Sequence, residues 1–309
     1  MVKSTLLLRS WLLRMKPNAL PQQDLTKNNP TTNSLRKRLQ EELSPFSESP
    51  YLDSVVLLSH ITGFTKSQLL ANPDPSLTEQ QSDQLKQALT QLKSGTPLPY
   101  VVGEWEFFQY SFKITPDVLI PRPETEGLVG LALTWLKDHP DRRTCLEIGT
   151  GCGCIAISLA KNLPDLNIIA TDISPGALQV ARENAQRHQV ENRIIFRERD
   201  LLTGMECKVD LLVANLPYIP TEKLKSLSVY YREPVLALDG GSDGLLYIKK
   251  VLKNARQYMM PDGAIFLELD EDSGAAALAL AREVWPGMTL KLNQDLAGQD
   301  RYLSIQCQS

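Results

Sequence analysis

Hydrophobic and polar positions change period twice along this chain. From Ser34 to Gly95 apolar residues recur at helical spacing, most clearly at Leu85, Ala88, Leu89 and Leu92, which share one face. Thr65 with Gln68 and Thr78 with Gln81 carry capping-box spacing and predict two helix starts. Gly95 stops the last helix before Pro97 and Pro99, so residues 34–99 predict a small helical domain. Residues 100–118, with Val101-Val102-Gly103 and the aromatic run Phe107 to Ile114, predict a β-hairpin linker.

A third regime follows from 119 to 309. Pro121-Arg122-Pro123 cannot begin as helix, but Leu128, Leu131, Ala132 and Trp135 resume the helical stripe. Strands are then predicted at 144–149, 167–172, 193–200, 209–214 and 264–270, with helices ending at 163, starting at 174, and spanning 245–259 and 274–285. Such alternation predicts an α/β domain with a mostly parallel sheet covered on both faces. Strands at 289–293 and 301–306 have no helix between them and predict an antiparallel pair at an edge.

Composition narrows the classes. A net charge of -3 gives no global basic field for nucleic acid, and no apolar run reaches the roughly 18 residues of a membrane span. Five cysteines without paired Cys-x-x-Cys spacing fit a reducing compartment, no disulfide framework and no metal; Cys152 and Cys154 read as small loop residues. His60, His139 and His188 fall in unrelated segments and receive no role. Residues 1–33 are basic, with Asp24 the only acid, and resemble a transit peptide in composition; they are expected to be a disordered extension dispensable for activity.

Four features fall on the carboxyl edge of the predicted sheet, where open α/β sheets bind ligands. Gly149-Thr150-Gly151-Cys152-Gly153 joins a strand to a helix and lets a ligand lie on bare backbone. Its spacing also satisfies a loose dinucleotide pattern with Ala156, so a nicotinamide cofactor stays open on the loop alone. Asp172, about twenty residues on, can accept both hydroxyls of a ribose, which implies an adenosine ligand. Asp200 ends the third strand, and Asn215-Leu216-Pro217-Tyr218 ends the fourth. Asn215 offers an acceptor and donors on one amide, Leu216 a carbonyl, Pro217 no N–H, and Tyr218 a flat face with a polar tip, a set able to hold a planar nitrogen.

With these residues the chain resembles the S-adenosylmethionine-dependent protein glutamine methyltransferases that modify peptide-chain release factors. The resemblance covers roughly residues 34–309 and rests on Ile120-Pro121-Arg122-Pro123-Glu124-Thr125-Glu126, the glycine loop, Asn215 to Tyr218, Glu233-Pro234 with Gly240 to Leu245, and Asp295 to Arg301. It implies a Rossmann-like class I methyltransferase fold with a seven-stranded sheet and an antiparallel edge strand. It further implies S-adenosylmethionine contacts from Gly149, Thr150, Gly151, Cys152, Gly153, Asp172, Leu201 and Asn215. Asn215, Leu216, Pro217 and Tyr218 would then hold the glutamine of a Gly-Gly-Gln motif and carry catalysis. A soluble, monomeric cytoplasmic enzyme is implied, or one of an organelle matrix if residues 1–33 are a transit peptide, with a release factor as partner and no direct contact to nucleic acid. Two departures stand out: Leu216 replaces a usual proline, and this chain has Leu267-Glu268-Leu269-Asp270 where the family has a glycine after Leu-Glu-Ile.

Competing readings are an adenine-amino methyltransferase acting on RNA or DNA, a nucleotide-dependent dehydrogenase, and a non-catalytic binding module. Asn215 to Tyr218 is similar to motifs of the first class, but the surrounding markers argue against it, and a net charge of -3 gives no overall support for the basic and aromatic contacts expected around a flipped base. The second leaves Asn215 to Tyr218 without a task, and the third would retain the fold without cofactor affinity.

Overall fold

In the computed structural model, which describes residues 34–72 and 74–306, the stripes of the N-terminal third become α1 (Leu35–Leu43), α2 (Pro50–Thr62), α3 (Lys66–Ala71), α4 (Glu79–Lys93) and α5 (Leu98–Val102). Expectations about residues 1–33 and Cys307 lie outside the described residues. Both capping boxes form: Thr65 and Thr78 accept from the Gln68 and Gln81 amides, and each glutamine side chain answers its threonine backbone. Leu39, Leu43, Leu57, Leu58, Leu69, Leu85 and Leu89 close one hydrophobic core. Val101 and Val102, read as strand, are helical, because Pro97 and Pro99 stand at the start of a turn that needs no amide there and Gly103 ends it at φ 78°.

Residues 34–103 and 104–306 form two compact units. In the second, β1 (Glu104–Phe107) and β2 (Tyr110–Lys113) make an antiparallel hairpin whose turn residues Phe108 and Gln109 both take positive φ, 47° and 68°. There follow α6 (Thr125–Asp138), β3 (Thr144–Ile148), α7 (Cys154–Asn162), β4 (Asn167–Asp172), α8 (Pro175–Arg187), β5 (Ile194–Glu198), β6 (Val209–Ala214), α9 (Thr221–Lys225), α10 (Leu246–Asn254), β7 (Met259–Glu268), α11 (Gly274–Val284), β8 (Thr289–Gln294) and β9 (Asp300–Gln306).

The seven strands β3 to β9 form one sheet in the order β5-β4-β3-β6-β7-β9-β8. Pairings from β5 to β7 are parallel, and β9 runs antiparallel to both β7 and β8. The antiparallel pair therefore closes one side of the sheet, with the reversed strand one place in from the edge. Strand order reverses between β4 and β6 on either side of β3, and that switch point opens a crevice at the carboxyl ends of the strands. All six residues of β6 are buried, as expected of a central strand covered on both faces.

Two boundaries differ from the sequence pattern. The helix expected over 245–259 ends at Asn254, continues as a 3-10 turn to Tyr258, and gives way to β7 at Met259. The early start of β7 includes Asp262 at φ 58° and a register shift against Val209 and Leu211, an irregularity that alternation alone does not reveal. Among the described residues no helix is long and apolar enough to cross a membrane.

Candidate active site

The loop between β3 and α7 is held from two sides. Gly149 and Thr150 donate their amides to the Thr171 carbonyl at 2.8 and 2.9 Å, and Gly151 donates to Asp172 Oδ2 at 2.9 Å. Gly149, Gly151 and Gly153 take φ of 72°, 56° and 85°, the left-handed region open to glycine. Nothing lies within 4 Å of where a Cβ on Gly151 would stand, so a ligand can approach the bare backbone there. Asp172 Oδ1 accepts from the Ser174 amide at 2.9 Å, and burial pushes its carboxyl above the usual range while these amides pull it back. The Arg199 amide donates to the Asp172 carbonyl at 2.9 Å, which brings Leu201, at φ 51°, to the same edge; Asp200 is exposed.

Beneath the loop lies Glu147, fully buried. Its Oε2 accepts from the Thr150 hydroxyl at 2.6 Å and the Ala156 amide at 3.1 Å, while Oε1 has no partner. Burial pushes its carboxyl up to about 8. The backbone and side-chain donors of Thr150 are thus both spent on holding the loop. Cys152 and Cys154 are buried free thiols, in keeping with small residues at a loop and helix start, and no group of His, Cys, Asp and Glu able to hold a metal occurs among the described residues. Asn184, also fully buried, joins this loop to the hairpin: Oδ1 accepts from the Lys113 amide at 2.7 Å, and Nδ2 donates to the carbonyls of Lys113 and Cys152 at 3.0 and 2.9 Å.

Asn215 leaves β6 beside the glycine loop: a Cβ on Gly149 would stand 3.6 Å from the Leu216 side chain and 3.7 Å from the Asn215 carbonyl. Its Nδ2 donates to Thr125 Oγ1, at the first turn of α6, at 2.9 Å. The Leu216 side chain is buried in the core of the sheet, which anchors the position by packing where proline would anchor it by ring rigidity. Tyr218 donates its hydroxyl to Glu268 Oε1 at 3.3 Å, and burial raises its phenol well above the ordinary range. Glu268 ends β7, is 1% exposed, and burial pushes its carboxyl up to about 7 against the Thr125 hydroxyl, the Arg301 charge and the Tyr218 hydroxyl.

The segment from Gly240 to Gly244 clamps Tyr218, and two further segments are tied down separately. A Cβ on Gly240 would stand 2.7 Å from Tyr218 Cα, and one on Gly244 2.3 Å from the Tyr218 carbonyl oxygen, so both positions require glycine. The Ile219 amide donates to the Leu238 carbonyl at 3.0 Å, and the Gly240 amide to the Ile219 carbonyl at 2.8 Å. Glu233 accepts from the Ile120 amide at 3.0 Å and pairs with Arg122 at 2.5 Å. Asp295 caps its own turn by accepting from the Ala297 and Gln299 amides at 2.8 and 3.0 Å and from Arg301 at 3.3 Å.

The site residues that sequence reasoning missed are Thr125, Glu147, Asn184, Glu268 and Arg301. Signals existed for four of them: Thr125 and Arg301 stand inside motifs that carry the resemblance, and Leu146-Glu147-Ile148 and Leu267-Glu268-Leu269 each set a carboxylate inside an apolar strand, which is costly without partners.

These features match known proteins along most of the chain. The family described as PrmC N-terminal domain matches residues 34–103, and the methyltransferase small domain matches 130–230. Over 256 residues the chain is 41% identical to the release factor glutamine methyltransferase of Moorella thermoacetica, covering 82% of this chain and 90% of that protein. The chain belongs to the release factor glutamine methyltransferase family. A second member, from Thermosynechococcus vestitus, is 38% identical over 215 residues, 68% of this chain and 74% of its own. Among solved structures, the hMettl16 catalytic domain in complex with MAT2A 3′UTR hairpin 6 superposes with a TM-score of 0.51 at 16% identity, over 75% of this chain and 83% of that one, a likeness of fold.

Proposed function

We propose that this family member transfers a methyl group from S-adenosylmethionine to the side-chain amide nitrogen of a glutamine in a peptide-chain release factor. The observation that carries the reading is Asn215: its Nδ2 is held by Thr125 at 2.9 Å, so its Oδ1 is turned to the other side of the amide, at the strand end next to the glycine loop.

The residues present fit the cofactor. The open face of Gly151 suits a ligand lying on the loop, the paired oxygens of Asp172 suit two ribose hydroxyls, and Leu201 supplies an apolar side chain for the adenine side. Gly149, Thr150, Cys152 and Gly153 shape the loop, and Asn215 borders it. When bound, S-adenosylmethionine supplies an electrophilic methyl on a sulfonium.

An amide nitrogen is a poor nucleophile because its lone pair is delocalised into the carbonyl. The Asn215 Oδ1 and the Leu216 carbonyl accept the two N–H groups of the substrate amide, orient its nitrogen and enrich its electrons as the bond forms. Pro217 presents no competing N–H. Tyr218 covers the amide plane and excludes water, and holding both reactants in one closed site removes much of the entropic barrier. The methylated nitrogen is cationic and strongly acidic, so it sheds its excess proton to solvent, while the thioether of the spent cofactor is the leaving group; Asn215 Oδ1 and the Leu216 carbonyl orient the N–H groups and keep no proton.

This reading places the enzyme where release factors act, in the cytoplasm or an organelle matrix, as a monomer that contacts a protein rather than nucleic acid. Titration with S-adenosylmethionine followed by incubation with a release factor and mass spectrometry tests it. One added methyl on the glutamine is expected; cofactor binding with no methylated glutamine contradicts it.

A further inference from the structure

The hydrogen-bonding polarity of Asn215 is decided one residue further back. A primary amide can rotate by half a turn and exchange its donor and acceptor faces, and the two orientations differ only in what the surroundings accept. Thr125 Oγ1 meets Asn215 Nδ2 at 2.9 Å and so serves as acceptor there. Its own proton then needs an acceptor. The nearby Thr125 hydroxyl favours the ionised Glu268 carboxyl, and the buried Glu268 Oε2 has no hydrogen-bond partner, so it is the acceptor open to the Thr125 proton. The other oxygen, Oε1, already takes the Tyr218 hydroxyl at 3.3 Å. One carboxylate thus meets both arms of the motif that would grip the substrate.

We propose that Glu268 is a positioning residue for methyl transfer, whose carboxylate fixes the Asn215 amide through Thr125 and the Tyr218 ring through its hydroxyl. The proposal rests on the reading of Asn215 to Tyr218 as the substrate grip and adds the group that orients it. An ionised carboxylate only accepts, so Thr125 donates to it and its lone pair is left for Asn215 Nδ2; Oδ1 then faces the substrate. A protonated Glu268 carries a donor of its own. It can donate to Thr125 or to Tyr218, which frees the Thr125 proton to turn toward Asn215 and lets the amide reverse. Two carbonyl-like acceptors are needed for the substrate N–H groups, and reversal replaces one of them with a donor.

The charges around Glu268 are arranged for a change of state near neutrality. Arg301 from β9 favours the carboxylate, Glu124 at the start of α6 opposes it, the hydroxyls of Tyr218 and Thr125 favour it, and burial pushes the whole carboxyl up to about 7. Tyr302, also from β9, faces the same carboxylate and is itself raised beyond the ordinary tyrosine range by burial and by Glu268. Asp270 and Arg122 complete the charged surroundings of Tyr218. On this proposal the grip is set when Glu268 ionises and loosened when it takes up a proton.

The test compares wild type with Glu268→Gln, Thr125→Val and Thr125→Ser in the full chain. Glu268→Gln keeps size and folding but presents one amide donor where two hydroxyls need acceptors. Its kcat is expected to fall roughly 10- to 100-fold, the scale of a misplaced reacting group, with S-adenosylmethionine affinity within about threefold. Thr125→Val should fall as far, Thr125→Ser should recover most of the loss, and the Glu268→Gln/Thr125→Val double variant should be no worse than either alone, as for residues acting as one unit. Wild-type kcat should decline below about pH 7 while Glu268→Gln is flat there. A substrate-independent readout separates this inference from the proposed function: the Asn215 side-chain NH2 resonance, assigned by its loss in Asn215→Ala, should titrate with a midpoint near 7 in wild type and not in Glu268→Gln. An Asn215 resonance that ignores pH in wild type overturns the proposal whatever substrate the enzyme takes. So does a Glu268→Gln variant with wild-type kcat, or one that keeps the acid decline.

Discussion

Arg122 and Glu233, 111 residues apart in sequence, form an ion pair at 2.5 Å in which the Glu233 side chain is 2% exposed. The pair ties the segment before α6, which delivers Thr125, to the loop that follows Tyr218, and the Ile120 amide adds a second bond to the same carboxylate at 3.0 Å. Removing one partner of a buried pair leaves the other charge uncompensated. Glu233→Ala is expected to lower stability by about 3 to 5 kcal/mol in urea unfolding. A loss below about 1 kcal/mol, the range of an exposed pair, contradicts the structural role given to it.

At Asp172 each carboxylate oxygen accepts one backbone amide, from Gly151 and from Ser174, and the proposed cofactor's ribose hydroxyls would use the lone pairs that remain. Asp172→Ala should weaken S-adenosylmethionine binding by about 1 to 3 kcal/mol in calorimetry, and Asp172→Asn, which keeps one acceptor, by less. Equal affinity in all three proteins removes Asp172 from the cofactor site.

Gly240 and Gly244 serve Tyr218 without touching any reacting atom. A methyl at either position meets the Tyr218 backbone, at 2.7 and 2.3 Å, and must push the motif aside. Gly240→Ala and Gly244→Ala should each lose roughly 100-fold in kcat, the cost of misplacing a grip by about 1 Å, while cofactor affinity changes little. Steady-state kinetics beside calorimetry separates the two effects, and normal turnover in both variants would show that the close approach has no bearing on catalysis.

Glu147 makes a prediction about pH. Its folded-state carboxyl titrates near 8 against an ordinary 4.5, so between those values the folded chain holds a proton that the unfolded chain has released. Stability contributed by this group is greatest below about pH 4.5 and is lost as pH rises toward 8, with a slope of at most about 1.4 kcal/mol per pH unit. Urea unfolding at pH 5.5 and pH 8 should show a steeper decline for wild type than for Glu147→Gln. Parallel declines in the two proteins would mean that Glu147 is ionised in the fold across this range.

Much of the architecture was legible because its signals are local. The Thr65 and Thr78 caps, the glycine loop and the buried run of β6 each announce themselves within a few residues. The antiparallel partnership of β8 and β9 was legible from the missing helix between them, but the insertion of β9 between β7 and β8 was not, since both orders satisfy the same alternation. Val101 and Val102 misled because β-branched residues beside prolines read as strand, whereas the prolines open a short helix. In the site, Asn215 and Tyr218 stood out by their motif. Thr125 and Glu268, 90 residues before Asn215 and 50 after Tyr218, lie in stretches the sequence marks, but their bonds to Asn215 and Tyr218 become visible only when the fold brings α6 and β7 together behind the motif.

The central claim is that Asn215 grips a glutamine amide for methyl transfer. The most direct measurement is single-turnover methylation of a release factor by wild type and Asn215→Ala, with a release factor whose Gly-Gly-Gln glutamine is replaced as control. Wild type should add one methyl to the glutamine and none to the replaced protein, and Asn215→Ala should be slower by roughly 100-fold or more, as when one preorganised polar group is removed, with cofactor affinity much less affected. Stoichiometric methylation of the replaced protein, or near-normal turnover by Asn215→Ala, would contradict the account.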